Sequence, residues 1–415
     1  MAFFEQVYDW TQSTITDKVA CDSKDISREN KQNNQVILTW GADQNMRNKL
    51  AAKLASIIVE QDPISIGEAD RPAFARSLES SGGGIDAWWH FRKPLDFLWK
   101  RKIECPEANE GVYRSSSSCL IKRAIGGYYC MLRSVNYNLD EITGAYDFEG
   151  VVRTRNWLIT MNDSLYPLSC EEVKAPPPIS NDVYVFGLED ARIFGEGHNY
   201  INMMSTTSQY HKDRKLRILS GKVDVYSGNM FDHHVFETHE NGCEKNWTPV
   251  PADFYRGIID NGTTSPYVSI HTIHPHRIID METEKDYRPD IFVEGPSGSY
   301  AVAKSLRGSS VPVSYKDGYL FIVHNVGTRV IHSNHVRVYY HRMVYMYREK
   351  DESGGYVGDI HMRISDPFTF HNNRVEFCLS ICWHEDGLLV NYSEFDKTSV
   401  VGCLSRESIE NILWP

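Results

Sequence analysis

The chain has 415 residues, 41% hydrophobic, 24% charged and 12% aromatic, with a formal net charge of −11. That length allows a large core, and the acidic balance excludes a surface built to grip nucleic-acid backbones, leaving room only for a local basic pocket. No apolar run reaches the ~20 residues of a membrane span, and nine scattered cysteines without paired spacing read as reduced thiols.

The opening stretch, "MAFFEQVYDW", lacks a basic leader and a long apolar run, so a cytoplasmic setting is expected. Residues 1–110 differ from the rest of the chain. "DQNMRNKLAAKLASIIVEQDP" puts Met46, Leu50, Leu54, Ile57 and Ile58 on one helical face, with Asp43 as N-cap and Pro63 as stop. A mainly helical N-terminal extension is the expectation there. Gly82–Gly84 are not followed by Gly-Lys-Ser/Thr, so they mark a tight turn and not a phosphate-binding loop.

From about Tyr113 the chain becomes strand-like and repeats. Five short strands, "GYYCMLRSV" from Gly127, "NYINMMSTT" from Asn199, "PYVSIHTIH" from Pro266, "GYLFIVHNV" from Gly318 and "GLLVNYSEF" from Gly387, recur at intervals of 72, 67, 52 and 69 residues. Each follows a strand that is polar or carries a polar insertion: "SSCLIKRAI", "GLEDARIF", "CEKNWTPV", "LRGSSVPV" and "RVEFCLSIC". Repeats of that length, each holding several strands, are the mark of a propeller. The expected fold is all-β, a five-bladed β-propeller over residues 111–415; an irregular β-sandwich is the alternative.

A propeller explains why "VFGLEDARIF", apolar at Val185, Phe186, Leu188, Ile193 and Phe194, carries Glu189, Asp190 and Arg192 in its middle. Ionised groups are costly to bury unless paired, but inner strands can turn them toward a wet axial funnel. Strand alternation sets Asp190 and Arg192 on one face and Glu189 on the other. The convergent candidates, blade by blade, are Arg133 and Asn136; Glu189, Asp190 and Arg192; Lys245, Asn246, His274 and His276; Arg307, His324, His341 and Arg342; and Glu376 with Asp396. Acids ringed by cations suit an anionic substrate, with a carboxylate for proton transfer and cations for phosphate. Taken singly, a strand arginine is an ion-pair partner and a histidine a structural group; recurrence at one phase favours a site.

"HTIHPHR" and "FDHHVFETH" cluster histidines, but no Cys-x2-Cys pair or His-Glu-x-x-His helix accompanies them, so no metal is expected. No Gly-x-Ser-x-Gly elbow and no Gly-x-Gly-x-x-Gly opening a helix are present, and no cofactor is expected.

"GLEDARIF" resembles the Gly-x-Glu-Asp-Pro-Arg-Ile signature of the five-bladed propellers of glycoside hydrolase family 130, the mannoside phosphorylases, whose fold is shared by glycosyltransferase family 108. "EKNWTPV", "IHPHRII", "LRGSSVPV", "YLFIVHNV", "YYHRMVYM" and "ISDPFTF" resemble the continuation of propeller glycosyltransferases, so the likeness spans roughly residues 115–413. Ala191 departs from the signature's proline. The resemblance implies an enzyme that forms or phosphorolyses a glycosidic bond with inversion, acting on a mannose-like sugar. It implies Asp190 as proton donor and Arg192 beside it, and as partners a sugar phosphate or nucleotide-sugar donor with a glycan acceptor. Two other readings stay open: a non-catalytic glycan- or protein-binding propeller, and a hydrolase with Glu376 or Asp396 activating water. A proton donor must hold its proton near neutral pH, above the ~3.9 of a free aspartate. Glu189 and burial by Phe186 and Leu188 push Asp190 that way, and Arg192 opposes them.

Overall fold

The structure, a computed structural model, describes residues 94–415 apart from 141–144, 149, 184, 238–242, 260–264, 295–305, 332–333, 372–374 and 415. The expected helix between Asp43 and Pro63 and the Gly82–Gly84 turn lie outside the described residues.

The chain is an all-β five-bladed propeller. Each blade is built on an antiparallel meander running outward from an inner strand, and Ile291–Glu294 adds to the fourth in parallel, beside Tyr356–Ile364. The inner strands are Arg114–Lys122, Glu189–Glu196, Thr248–Pro251, Arg307–Gly308 and Glu376–Trp383. The five repeats read from the sequence are the second strands, Tyr128–Val135, Tyr200–Thr207, Tyr267–Thr272, Gly318–Ile331 and Leu388–Glu394, one in each sheet. The fifth blade is completed by Trp99–Lys102, which pairs antiparallel with Thr398–Leu404 and closes the ring. Among the described residues the principal helix is Arg406–Leu413, capped by the Ser405 side chain and docked through Ile409 and Leu413. No described helix is long and apolar enough to cross a membrane.

Apolar faces of neighbouring blades pack on each other and form the core. Val250, Phe254, Val268 and Ile270 of the third blade meet Phe321, Val323, Val344 and Met346 of the fourth. Phe236 and Trp247 meet at 5.1 Å between the second and third. Each such side chain contributes ~1.5–3 kcal/mol by burial. The axis is different: five inner strands converge there, and small polar residues let them approach. Ser115–Ser118, Ser309, Ser310 and Ser380 are all buried. They tie the blades together, the Leu120 amide donating to Ser380 Oγ at 2.7 Å and the Ser309 hydroxyl to the Cys378 carbonyl at 2.5 Å.

"VFGLEDARIF" is two strands. Val185–Phe186 runs parallel to Val152–Met161 of the first blade, and Glu189–Glu196 opens the second. Gly187 makes the break at φ 97°, where a Cβ would lie 2.3 Å from the Thr154 carbonyl oxygen. This stretch therefore joins two blades, which brings its acids to the mouth of the axis.

Candidate functional site

The site is built around Arg133, at the end of the first blade's second strand and only 5% exposed. Its Nη1 donates to Asp190 Oδ1 at 2.8 Å, its Nη2 to Glu189 Oε1 at 2.9 Å and its Nε to Thr154 Oγ1 at 2.9 Å. Lys245 Nζ, on the approach to the third blade, donates to Glu189 Oε2 at 3.2 Å. Ser117 Oγ reaches Asp190 Oδ1 at 3.4 Å. One guanidinium thus bridges two carboxylates, and a half-exposed ammonium adds to the same cluster.

One guanidinium holds both acids, contrary to the opposite faces expected from alternation. On the neighbouring strand Met204 pairs with Arg192 and Thr206 with Glu189, a register shift. The extra residue on the Glu189–Glu196 strand makes a bulge, with Asp190 at φ 50°, in the left-handed region. Bulges re-aim side chains, and aspartate is among the few residues that tolerate this backbone. Asn246 (φ 65°) and Asp396 (φ 52°), from two other blades, adopt the same conformation.

Arg192 is buried behind the acids. Its Nε donates to the Ser309 carbonyl at 2.9 Å and its Nη1 to the Asp190 carbonyl at 3.1 Å. Its Nη2 is a buried donor with no acceptor among the described residues.

Asp396, in the turn after Leu388–Glu394, accepts a hydrogen bond from the Tyr137 hydroxyl at 3.3 Å. It lies in the same electrostatic cluster, since Arg133, Asp190 and Arg337 all act on it. The two aspartates are driven apart. Burial pushes Asp190 up, but the charges of Arg133, Lys245 and Arg192 outweigh it and hold the carboxyl below its ordinary range. Burial raises Asp396, reinforced by the Asp190 charge, and its cationic neighbours do not bring it back. Of the two acids, Asp396 favours the proton and Asp190 the charge. For Asp190 the cations win over burial, so a standing proton near neutral pH is not what its resting surroundings provide.

Other candidates sit apart from the cluster or are engaged elsewhere. Asn136 clamps the backbone, donating to the Val151 carbonyl at 2.9 Å and accepting from the Arg153 amide at 2.6 Å. Glu376 accepts the amides of Phe370 and His371 at 2.8 and 2.7 Å, so it orders a loop and is not poised as a base. Arg342 is buried, with Nη1 donating to the Ser365 carbonyl at 2.7 Å. His276 meets the Tyr255 hydroxyl at 2.9 Å inside the third blade, and burial lowers its pKa to about 4. His324 stacks on Tyr339 at 5.6 Å; burial, with the nearby Arg307 and Arg192 charges, pushes it down to about 3. His341 is buried against Phe370 at 4.2 Å. The lowered pKa values keep His276 and His324 uncharged near neutral pH. They are therefore not phosphate-holding cations. Arg307, exposed on the fourth inner strand, pairs in register with His324.

Sequence reasoning missed Ser117, Thr154, Tyr137, Arg337 and Tyr339. Arg337 and Tyr339 stand four and two residues before His341, and their period of two was a usable signal. Arg337 lies over the Tyr146 ring at 5.6 Å, so the long fourth-blade hairpin meets the first blade beside Asp396. Among the described residues the one His, Cys, Asp and Glu group close enough to share an ion is Cys105, Glu107 and Cys170, none of them among these candidates.

No family model matches the chain, and no curated protein matches it. Solved structures do. A β-1,2-mannobiose phosphorylase from Listeria innocua, in complex with β-1,2-mannobiose, is 12% identical with a TM-score of 0.43, covering 73% of this chain and 94% of its own. A GDP-mannose-dependent mannosyltransferase from Leishmania mexicana is 13% identical with a TM-score of 0.38, over 71% and 87%. A mannose phosphorylase from the same organism, with bound phosphate ion, is 12% identical with a TM-score of 0.39, over 72% and 86%. These include the mannoside phosphorylases that "GLEDARIF" resembles.

Proposed function

We propose that this chain is a carbohydrate-active enzyme that transfers a glycosyl group at the mouth of the propeller axis, with residues 111–415 as its catalytic unit. The observation that carries this reading is Arg133 bridging Glu189 and Asp190. A buried cation shared by two carboxylates, with Lys245 at its edge, can exchange one carboxylate for a phosphate oxygen of a sugar phosphate or nucleotide sugar. The unpartnered Nη2 of Arg192 supplies a further donor for an oxygen ligand.

Asp190 is the proton-transfer residue in this reading, as the sequence motif implies. Held as a carboxylate at rest, it accepts the proton of an incoming sugar hydroxyl in the synthetic direction. In phosphorolysis the same carboxyl returns the proton to the leaving oxygen. An anion that draws Arg133 toward itself loosens the grip on Asp190, so its pKa rises when the donor binds. A mannose-like sugar is the first to try.

The experiment is a screen of sugar 1-phosphates and nucleotide sugars, mannose derivatives first, for thermal stabilisation followed by product analysis. A ligand at 100 times its Kd adds ~2.7 kcal/mol. Asp190→Asn is expected to lower turnover on the order of 10²-fold, while binding changes little because Glu189 still holds Arg133, and the melting temperature falls modestly with the loss of the Arg133–Asp190 pair. Full turnover by Asp190→Asn removes Asp190 from the chemistry. Glycan binding without turnover of any donor favours the non-catalytic reading.

A further inference from the structure

On the opposite rim from the axis, two cysteines lie almost in contact. Cys105 stands in the crossover from the closing strand Trp99–Lys102 to the first inner strand, and Cys170 lies on the first blade's outer strand Pro167–Glu172. Their sulfurs are 2.9 Å apart, closer than two unbonded sulfurs rest in ordinary contact. Both backbones are held. The Cys105 carbonyl accepts from the Ala108 amide at 3.1 Å and from Asn109 Nδ2 at 2.9 Å, and Asn109 is tied to Ser115. Cys170 pairs with Ile159 in the sheet. Cys105 is buried and Cys170 half-buried.

We propose that Cys105 and Cys170 are a thiol–disulfide switch that, when oxidised, staples the crossover between the fifth and first blades. The oxidant is a small-molecule disulfide. The thiolate of the pair attacks one of its sulfurs, forming a mixed disulfide and releasing one small thiolate. The second cysteine, as its thiolate, then attacks the protein sulfur of that mixed disulfide, closing the Cys105–Cys170 bond and expelling the second small thiolate. The two protons lost by the cysteines end on the two released thiols; the protein pair is oxidised by two electrons and the small disulfide reduced by two. The hydrogen bond between the two sulfurs lowers the Cys105 pKa and, with burial, raises that of Cys170, so Cys105 carries the thiolate of the resting pair.

Zinc is the competing ligand for such a pair. Structural zinc takes four protein donors. Here Glu107 is the third, on an exposed side chain, and no fourth lies within reach among the described residues. The staple would close a loop between residues 65 apart, enclosing the strands that carry Ser117, Arg133 and Thr154. Constraining a loop of that length in the unfolded chain is the physical source of the stabilisation.

The test uses the full reduced chain, incubated with glutathione disulfide, quenched by alkylation and mapped by mass spectrometry without reduction. The expected product is a peptide pair joined through Cys105 and Cys170, with buried Cys119, Cys130, Cys378 and Cys403 still alkylatable after unfolding. The melting temperature should rise ~5 °C and return on reduction. Cys170→Ser and Cys105→Ser should each lose both effects. Recovery of Cys105 and Cys170 as free thiols while the exposed Cys243 is fully glutathionylated overturns the inference. So does a joined pair with no change in melting temperature. Protection of both thiols by one equivalent of zinc, without joining, makes the site a metal site and also overturns it.

Discussion

Replacing Arg133 with methionine tests the centre of the site. The substitution keeps most of the side-chain length and removes the cation from three partners, Asp190, Glu189 and Thr154. The carboxylates are 17% and 11% exposed, too little for water to take over fully. Breaking a buried ion pair from one side costs about 3–5 kcal/mol. In a propeller of this size, at roughly 2 °C per kcal/mol, that is a melting temperature lower by about 6–10 °C near neutral pH. The pH dependence is the sharper prediction. In the parent chain Asp190 has a depressed folded pKa, so its contribution is present above the unfolded value and lost as pH falls through the folded one. Without Arg133, burial dominates and the Asp190 pKa rises. The variant is then penalised above the unfolded pKa, and the penalty vanishes once the carboxyl is protonated. The gap between parent and variant should therefore be wide at pH 7 and narrow steadily toward pH 3. Thermal melts of both proteins across that range measure it. Adding Glu189→Gln and Asp190→Asn to the variant should recover much of the loss at pH 7, since neither carboxylate is then left buried without its cation. A gap of constant size from pH 7 to pH 3 would refute the electrostatic account and leave Arg133 as a packing residue.

Lys245→Met should leave the melting temperature nearly unchanged, because the ammonium side chain is 41% exposed and such bridges contribute little. It should weaken binding of a phosphate-bearing donor about 10-fold, the worth of one charge-assisted bond, read by titration. Asp396→Asn should behave oppositely to a salt-bridge deletion. The parent carries a raised Asp396 pKa, so it loses stability as pH rises through that value, and the variant should gain on the parent from pH 4 to pH 8 in thermal melts. His324→Gln should reduce acid sensitivity. The folded pKa of about 3 lies below the unfolded value, so the unfolded chain takes up the proton first and stability falls as pH drops from about 6.5. An unaltered loss between pH 7.5 and pH 5 in the variant would count against a buried neutral His324.

The blades were legible because each repeats a local signal: a turn residue, a β-rich run, and a polar strand before it. Trp99–Lys102 was not, because its partner lies some three hundred residues away and nothing in "WKRK" specifies that pairing. Within the site, residue type was a poor guide to placement. Arg133 and Arg342 are both buried strand arginines, yet one meets two carboxylates and the other a backbone carbonyl. Glu376 and Asp396 were equal candidates on sequence, but Glu376 lies where two amides converge and Asp396 beside a phenol and a neighbouring carboxylate. Alternation failed at Asp190 for a definable reason. A one-residue bulge shifts every following side chain to the other face, and its signature is a pairing register, which a single strand does not carry.

The bulge also bears on how the site is held. Asp190, Asn246 and Asp396 come from three blades and all take left-handed backbone near the axial mouth. For residues other than glycine such conformations cost on the order of 1–3 kcal/mol each and persist only where the surroundings over-determine them. At Asp190 the surroundings are identifiable: Arg133 holds the carboxylate from one side while Arg192 Nη1 holds the residue's own carbonyl from the other. At Asn246 the carbonyl lies against Gly308, where a Cβ would come within 2.2 Å of it, so the third and fourth blades must meet at a glycine. At Asp396 the cause is the turn itself: Phe395 and Asp396, both at φ 52°, join Leu388–Glu394 to Thr398–Leu404. At Asp190 and Asn246 the strain is sited where separate blades meet, and at Asp190 the Arg133 and Arg192 bonds that hold it also position the acids.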